Sequence, residues 1–272
     1  MPHLDIAPGE SLFYEYDAPG AAGATFVFVN ALTGNTGMWQ GAIAPALRQA
    51  GHGTLCYNFR GQIETSFADD TALTPSLIVD DLRALLDHLR PPKPILVGLS
   101  IGGLFAARAL LAGAEAAALV LINTLRKPGP RIDWLGRAMV ELARLGGGRL
   151  VMAANLPMIV NPEQLSAMWD DAFEAGPFES MDPNDGLFRL MAESTATDWD
   201  FPYEKLSVPV LLMTGRHDRV FYVAEDVAEL AGRIADVREV VFEDAGHLIP
   251  VERPERFTKE LLAFADHLKT AR

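Results

Sequence analysis

Ile95-Leu96-Val97-Gly98-Leu99-Ser100-Ile101-Gly102-Gly103 is an apolar, β-branched run that breaks on a serine set between two glycines. The run predicts a buried strand, and the alanine- and leucine-rich stretch from Leu104 to Leu111 predicts a helix directly after it. Ser100 then stands at the apex of the turn between them. A nucleophilic serine needs its hydroxyl held clear of the backbone, within reach of both a base and a substrate. A strained strand-to-helix turn presents it so. Such a turn draws the neighbouring chain so close that the positions two before and two after the serine favour glycine, which accounts for Gly98 and Gly102.

Working outward, the chain alternates strand-like and helix-like segments. Leu12 to Asp17 alternates in the manner of a strand and Ala18-Pro19-Gly20 turns it back; Thr25 to Val29 is a nearly continuous β-type run suited to a strand buried on both faces. A helix is expected from about Met38 to Gln49 and a strand from Gly53 to Asn58. Thr74-Pro75 places a hydroxyl at an N-cap and a proline in the first turn, and Ile78, Leu82, Leu85, Leu86 and Leu89 share one helical face, with Asp80, Asp81, Arg83 and Asp87 elsewhere. After the serine turn come a strand at Ala118 to Ile122, a strand at Val210 to Thr214, a helix near Tyr222 to Ile234, a strand at Val237 to Phe242 and a helix from Pro254 to Leu268. This order predicts an α/β protein with a doubly wound, mostly parallel sheet.

From Arg126 to about Leu206 the alternation stops. The segment is helix-like and broken by Pro128, Pro130, Gly146-Gly147-Gly148, Pro157, Pro162, Pro177 and Pro183. It leaves the carboxyl end of a sheet strand, the edge where open α/β sheets bind ligands, so it is expected to fold as a helical cap over the site. The expected organisation is a core of residues 1–125 and 207–272 with a cap or lid insertion at 126–206.

Composition narrows the function. With 23 Lys and Arg against 36 Asp and Glu the net charge is −13, and no basic run or stripe offsets it, so neither nucleic acid nor an anionic membrane is an expected partner. Cys56, the single cysteine, can form no internal disulfide and reads as a small buried side chain on a strand. No charged leader followed by an apolar stretch, and no run of about 20 apolar residues, is present, which gives the expectation of a soluble, cytoplasmic protein. The zinc pattern His-Glu-x-x-His, the phosphate loop Gly-x-x-x-x-Gly-Lys and a post-strand Gly-x-Gly-x-x-Gly are all missing, so the expected chemistry uses no metal and no cofactor.

The Gly98-x-Ser100-x-Gly102 turn in its strand-helix setting resembles the nucleophile elbow of the α/β-hydrolase superfamily. The short Phe59-Arg60-Gly61-Gln62 loop after a strand is similar to that family as well, and Gly246-His247-x-x-Pro250-x-Glu252-x-Pro254 strongly resembles its histidine loop. The resemblance implies the order Ser, then Asp or Glu, then His, each on a loop after a different strand. It places Ser100 as nucleophile, Asp218 in Thr214-Gly215-Arg216-His217-Asp218 as the acid, and His247 as the base. Asp244 and Glu243 are the fallback acids, and His217 is a candidate pocket residue. His3, His52, His88 and His267 read as ordinary surface residues.

The resemblance further implies an oxyanion hole of two backbone N–H groups, from Ile101 and from Leu32. A His-Gly pair is usual before the second donor, and Asn30-Ala31 stands here instead. Ala31-Leu32-Thr33-Gly34-Asn35 is also similar to the corresponding loop of homoserine acyltransferases. Because their loops face the site, Trp39 and Tyr222 are the expected substrate-binding residues. Met139, Met152, Trp134, Trp169, Phe173 and other apolar cap residues are expected chiefly to pack the cap. The function implied is a serine hydrolase acting on a small to medium carboxylic ester, thioester or lactone. The alternatives are an acyltransferase or a carbon–carbon bond hydrolase with the same triad, and, of another class, a slow-turnover ligand-binding receptor or scaffold. The expected partner is a small-molecule acyl substrate, with homo-oligomerisation left open.

Overall fold

The computed structural model describes residues 2–270. Eight strands form one sheet: β1 (His3–Ala7), β2 (Glu10–Asp17), β3 (Thr25–Val29), β4 (Gly53–Tyr57), β5 (Pro94–Leu99), β6 (Ala118–Ile122), β7 (Val210–Gly215) and β8 (Val237–Phe242). Their spatial order is β1-β2-β4-β3-β5-β6-β7-β8. The first two pairings are antiparallel and the other five parallel. Crossing over between parallel strands requires helices on both faces, and the side chains of the central strands divide accordingly. Val27, Val29, Leu96, Leu119 and Leu121 face one layer, which contains α3 (Pro75–Leu89), α4 (Ile101–Leu111) and α9 (Ala224–Ala231). Phe26, Phe28, Ile95, Val97 and Val120 face the other, where α2 (Ile43–Gln49) and α11 (Pro254–Thr270) pack. Cys56 lies in this second layer, and burial pushes its thiol above the usual range.

Several local expectations are corrected. The helix expected from Met38 to Gln49 is two helices, α1 (Gly37–Gln40) and α2. Pro45 explains the break: inside one continuous helix it would lack the N–H owed to Gly41 and collide with that carbonyl, whereas a new start at Ile43 puts it in a first turn. β1 was not foreseen, being a short edge strand of mixed polarity. His52 is buried rather than superficial; it accepts the Ala24 N–H at Nδ1, 3.2 Å away, and packs edge-on against Phe26. Asp81 also turns inward from α3. It pairs with Arg60 through Nε (2.8 Å) and Nη2 (2.6 Å), and Glu10 completes the cluster on Arg60 Nη1. Burial pushes the Asp81 carboxyl up while the Arg60 guanidinium opposes it.

Between β6 and β7 the chain forms helices and no strand: α5 (Pro130–Ile159), α6 (Pro162–Ala167), α7 (Trp169–Phe173), α8 (Gly186–Ser194) and a 3-10 turn at Tyr203–Lys205. α5 is interrupted at Gly146 and at Gly147, whose φ of +69° suits only glycine without strain. Trp134, Trp169 and Phe173 of this segment are exposed. None of the helices among the described residues is long and apolar enough to cross a membrane. α10 (Ile249–Glu252) completes the set, between β8 and α11.

Candidate active site

The turn from β5 into α4 holds Ser100 at φ +57°, ψ −123°, a conformation costly for any residue with a β-carbon. It is locked from both sides: Ser100 N–H donates to the Ile122 carbonyl (2.8 Å) and Gly103 N–H to the Ser100 carbonyl (3.1 Å). The flanking glycines are steric necessities. A β-carbon on Gly98 would lie 2.4 Å from Gly103 Cα, and one on Gly102 would lie 2.3 Å from the Asn30 carbonyl oxygen.

Asp218 follows β7 and His247 follows β8, and the two meet. His247 Nδ1 and Asp218 Oδ2 are 2.6 Å apart and both residues are buried. The carboxylate can only accept, so the imidazole donates from Nδ1 and its Nε2 is left with a free lone pair. Asp218 Oδ1 accepts the N–H groups of Phe221 (2.9 Å) and Val220 (3.2 Å). Burial alone would raise the Asp218 carboxyl, but His247, the Phe221 N–H and the Arg126 charge outweigh it and hold the group below the ordinary carboxylate value. Neither fallback acid reaches the imidazole. Asp244 is held on the surface by Arg253 and Arg256, and Glu243 pairs with Arg216.

Two buried polar side chains mount the histidine loop. Glu252 accepts the N–H of Gly246 and of Leu248, on either side of His247, and its Oε2 also takes the Asn161 N–H at 2.7 Å. Asn123 donates to the carbonyls of Gly246 and His247, each at 3.0 Å, and accepts the Gly215 N–H at 2.9 Å, tying the strand of the acid to the loop of the imidazole. The last turn of α5 contributes as well: the Ile159 carbonyl accepts the His247 N–H at 2.5 Å.

Ser100 and His247 line one cavity of about 160 Å³, together with Ile101, Leu32 and the apolar side chains of Met139, Val140, Val151, Met152, Ile159 and Met191. No hydrogen bond joins Ser100 to His247 in this conformation. Ser100 Oγ accepts instead from Arg126 Nη2, at 2.9 Å. Ile101 is the first residue of α4, a position whose N–H has no acceptor within its own helix. On the opposite wall, Gln62 Nε2 donates to the carbonyls of Ala31 and Leu32, both at 3.1 Å, and Gly34 N–H donates to Ala31. In a trans peptide the C=O and N–H point in opposite directions, so anchoring the Ala31 carbonyl turns the Leu32 N–H away from Gln62. Asn30 supports this arrangement from beneath: its Nδ2 donates to Gln62 Oε1 (3.0 Å) and to the Tyr57 carbonyl (2.8 Å), and its Oδ1 accepts Trp39 Nε1 (2.7 Å).

The family model of the alpha/beta hydrolase fold matches residues 24–254. The chain belongs to that family. The α/β hydrolase is 28% identical to the 3-oxoadipate enol-lactonase 2 of Acinetobacter baylyi, over 93% of this chain and 91% of that protein. Among solved structures it is similar to a thermophilic esterase from Thermogutta terrifontis (TM-score 0.79, 24% identity, 95% of this chain and 94% of that one). It is likewise similar to the enol-lactonase from Burkholderia xenovorans (TM-score 0.78, 24% identity, 97% and 99%). At these identities the two structures speak for the fold.

Three expectations for this α/β hydrolase are overturned. Trp39 lies in the core, fully buried, stacked on Phe28 at 4.6 Å and hydrogen-bonded to Asn30; it does not border the cavity. Tyr222 points its hydroxyl to Arg216 at the surface and also stays outside the cavity, as does His217. Phe221, one residue earlier, takes the place expected of Tyr222, packing 4.8 Å from the His247 ring. Of the apolar residues in the inserted segment, Met139 and Met152 line the cavity while Trp134, Trp169 and Phe173 do not. Sequence reading missed Arg126, Asn123, Gln62 and the role of Glu252. The signal for Arg126 was its position, four residues beyond β6 at the ligand-binding edge of the sheet.

Proposed function

We propose that this α/β hydrolase is a serine hydrolase cleaving small carboxylic esters, thioesters or lactones through an acyl-enzyme on Ser100. The observation that carries the reading is the buried Asp218–His247 pair opening onto the same cavity as a serine held at positive φ. In this reading Ser100 Oγ attacks the acyl carbonyl while His247 Nε2 takes the hydroxyl proton, after a side-chain adjustment that brings the two together. The Ile101 and Leu32 N–H groups receive the developing oxyanion. His247 then returns the proton to the departing alcohol, thiol or, in a lactone, ring oxygen. Water adds to the acyl-enzyme by the same route in reverse and frees Ser100. Asp218 keeps the imidazole in the tautomer this requires. The helical segment 126–206 serves as the cap that supplies most of the apolar wall, over a core of 1–125 and 207–272. Kinship with an enol-lactonase supports a hydrolytic, acyl-directed chemistry.

The test joins covalent labelling to turnover. A fluorophosphonate probe should modify Ser100, read by peptide mass spectrometry, and p-nitrophenyl esters should be hydrolysed with a preference for short chains, since roughly 150 Å³ holds a benzene-sized group. Ser100→Ala should abolish both. Unchanged turnover in Ser100→Ala would remove the nucleophile from the mechanism; absence of labelling and turnover in folded protein would favour a binding protein.

A further inference from the structure

Among the described residues two arginines are buried, and they differ in company. Arg60 faces Asp81 and Glu10. Arg126 is only 5% exposed and forms no ion pair among the described residues. Its guanidinium carbon lies 4.4 Å from the Trp199 ring centroid and 4.4 Å from that of Phe221, so two aromatic rings pack against the cation. Its hydrogen bonds form along the N–H edge. There Nη2 donates to Ser100 Oγ (2.9 Å) and to the Asn123 carbonyl (3.0 Å), Nε has no partner, and Nη1 donates to no protein atom among the described residues. Asp218, the nearest acid by its influence, is committed to His247 and two backbone N–H groups. Burial pulls the Arg126 guanidinium down to about 10, which leaves it charged at neutral pH.

A buried cation with no ion-pair partner is costly, and a guanidinium fork with unused donors suits a planar anion. Arg126 borders the cavity of the proposed nucleophile, as does Thr197, whose hydroxyl is also without a partner. The rest of that wall is mostly apolar; its one acid, Asp133, is exposed to solvent. We propose that the substrate itself supplies the missing counter-ion: the site takes esters or lactones that carry a free carboxylate, and Arg126 binds that carboxylate. Given an Nη2 to Oγ distance of 2.9 Å, the acid group stands within about 9 Å of the carbon under attack, which limits the substrate to short carboxylate-bearing acyl compounds. On arrival the carboxylate draws Nη2 off Ser100 Oγ and frees the hydroxyl to turn to His247. This inference rests on the serine-hydrolase reading for its chemistry but not for its anion site.

The experiment compares mono-p-nitrophenyl glutarate, an anion, with its neutral methyl ester, p-nitrophenyl methyl glutarate, and measures glutarate binding by calorimetry. The wild-type protein should prefer the anionic ester by about tenfold or more in kcat/KM and should bind glutarate. Arg126→Gln and Arg126→Lys, each checked for folding by circular dichroism, should lose most of that preference, mainly through KM, and Gln should abolish glutarate binding. Equal use of the two esters by the wild type, or equal losses on both in the variants, would overturn the proposal and leave Arg126 a positioning residue for Ser100. If neither ester is cleaved, the hydrolase reading fails separately; glutarate binding that is lost in Arg126→Gln would still uphold the anion site, and its absence would end it.

Discussion

Asp218 shows how one side chain can be read at two levels. Its Oδ2 holds the His247 tautomer and its Oδ1 closes the turn at Val220 and Phe221. Asp218→Asn should therefore keep the fold yet lower kcat by up to about 10⁴-fold, since an amide can donate where only acceptance serves. Asp244→Asn, altering a carboxylate held on the surface by two arginines, should leave kcat near its starting value. The folded-state carboxyl of Asp218 titrates below its ordinary 3.8. Its contribution to stability is thus complete above that value and is lost as pH falls through the lowered one. Urea unfolding as pH falls from about 4 to about 2 should show a weaker loss of stability in Asp218→Asn than in the wild type. Ser100, Asp218 and His247 could be singled out from sequence because each lies in a short string whose glycines and flanking strands are local features. Arg126 could not. A solitary arginine after a strand reads as a solvated charge until the positions of Trp199 and Phe221, far along the chain, are known.

Among the elements, buried side chains reinforce the backbone bonds, such as His217 N–H to the Ala245 carbonyl, that join the loops after β6, β7 and β8. Glu252 is the most exacting case, because three backbone N–H groups depend on it in a buried setting. Glu252→Ala should destabilise the protein by on the order of 3 kcal/mol or more in denaturant titrations, and should lower kcat at permissive temperature by loosening the His247 loop. Glu252→Gln, with one acceptor oxygen kept, should fall between. The strands β3 to β7 were legible because buried parallel strands are written as nearly unbroken apolar runs, whereas β8, at the sheet edge with Arg238 and Glu239 exposed, was legible from Val240, Val241 and Phe242. The division of α1 from α2 was legible in principle, from Pro45, but apolar spacing on either side concealed it. Trp39 and Tyr222 were misjudged for a different reason: proximity along the chain to a site loop fixes where a backbone lies, not where its side chain points. In Trp39 the indole went down to Asn30 and Phe28, and in the acid loop the ring that faces the cavity belongs to Phe221.

For the molecule as a whole, charge is distributed in two opposed ways. The chain carries a net charge of −13, while its cavity contains an unpaired buried guanidinium. An anionic substrate is repelled at long range and bound at short range. Salt screens the first effect more than the second, because exposed charges about 10 Å apart are screened at 0.1 M and buried pairs much less. For mono-p-nitrophenyl glutarate, kcat/KM should accordingly rise as ionic strength increases from about 10 to 150 mM, and for the neutral methyl ester it should stay flat. The inserted helices add a constraint of their own. Met158 and Ile159, at the end of α5, give their carbonyls to the N–H groups of Arg219 and His247, one on the loop of the acid and one on the loop of the imidazole. Any outward swing of that end would pull on the mounting of the imidazole itself. It works as an interlock: the far end of α5 and the mounting of the imidazole are latched together, so neither can shift without the other.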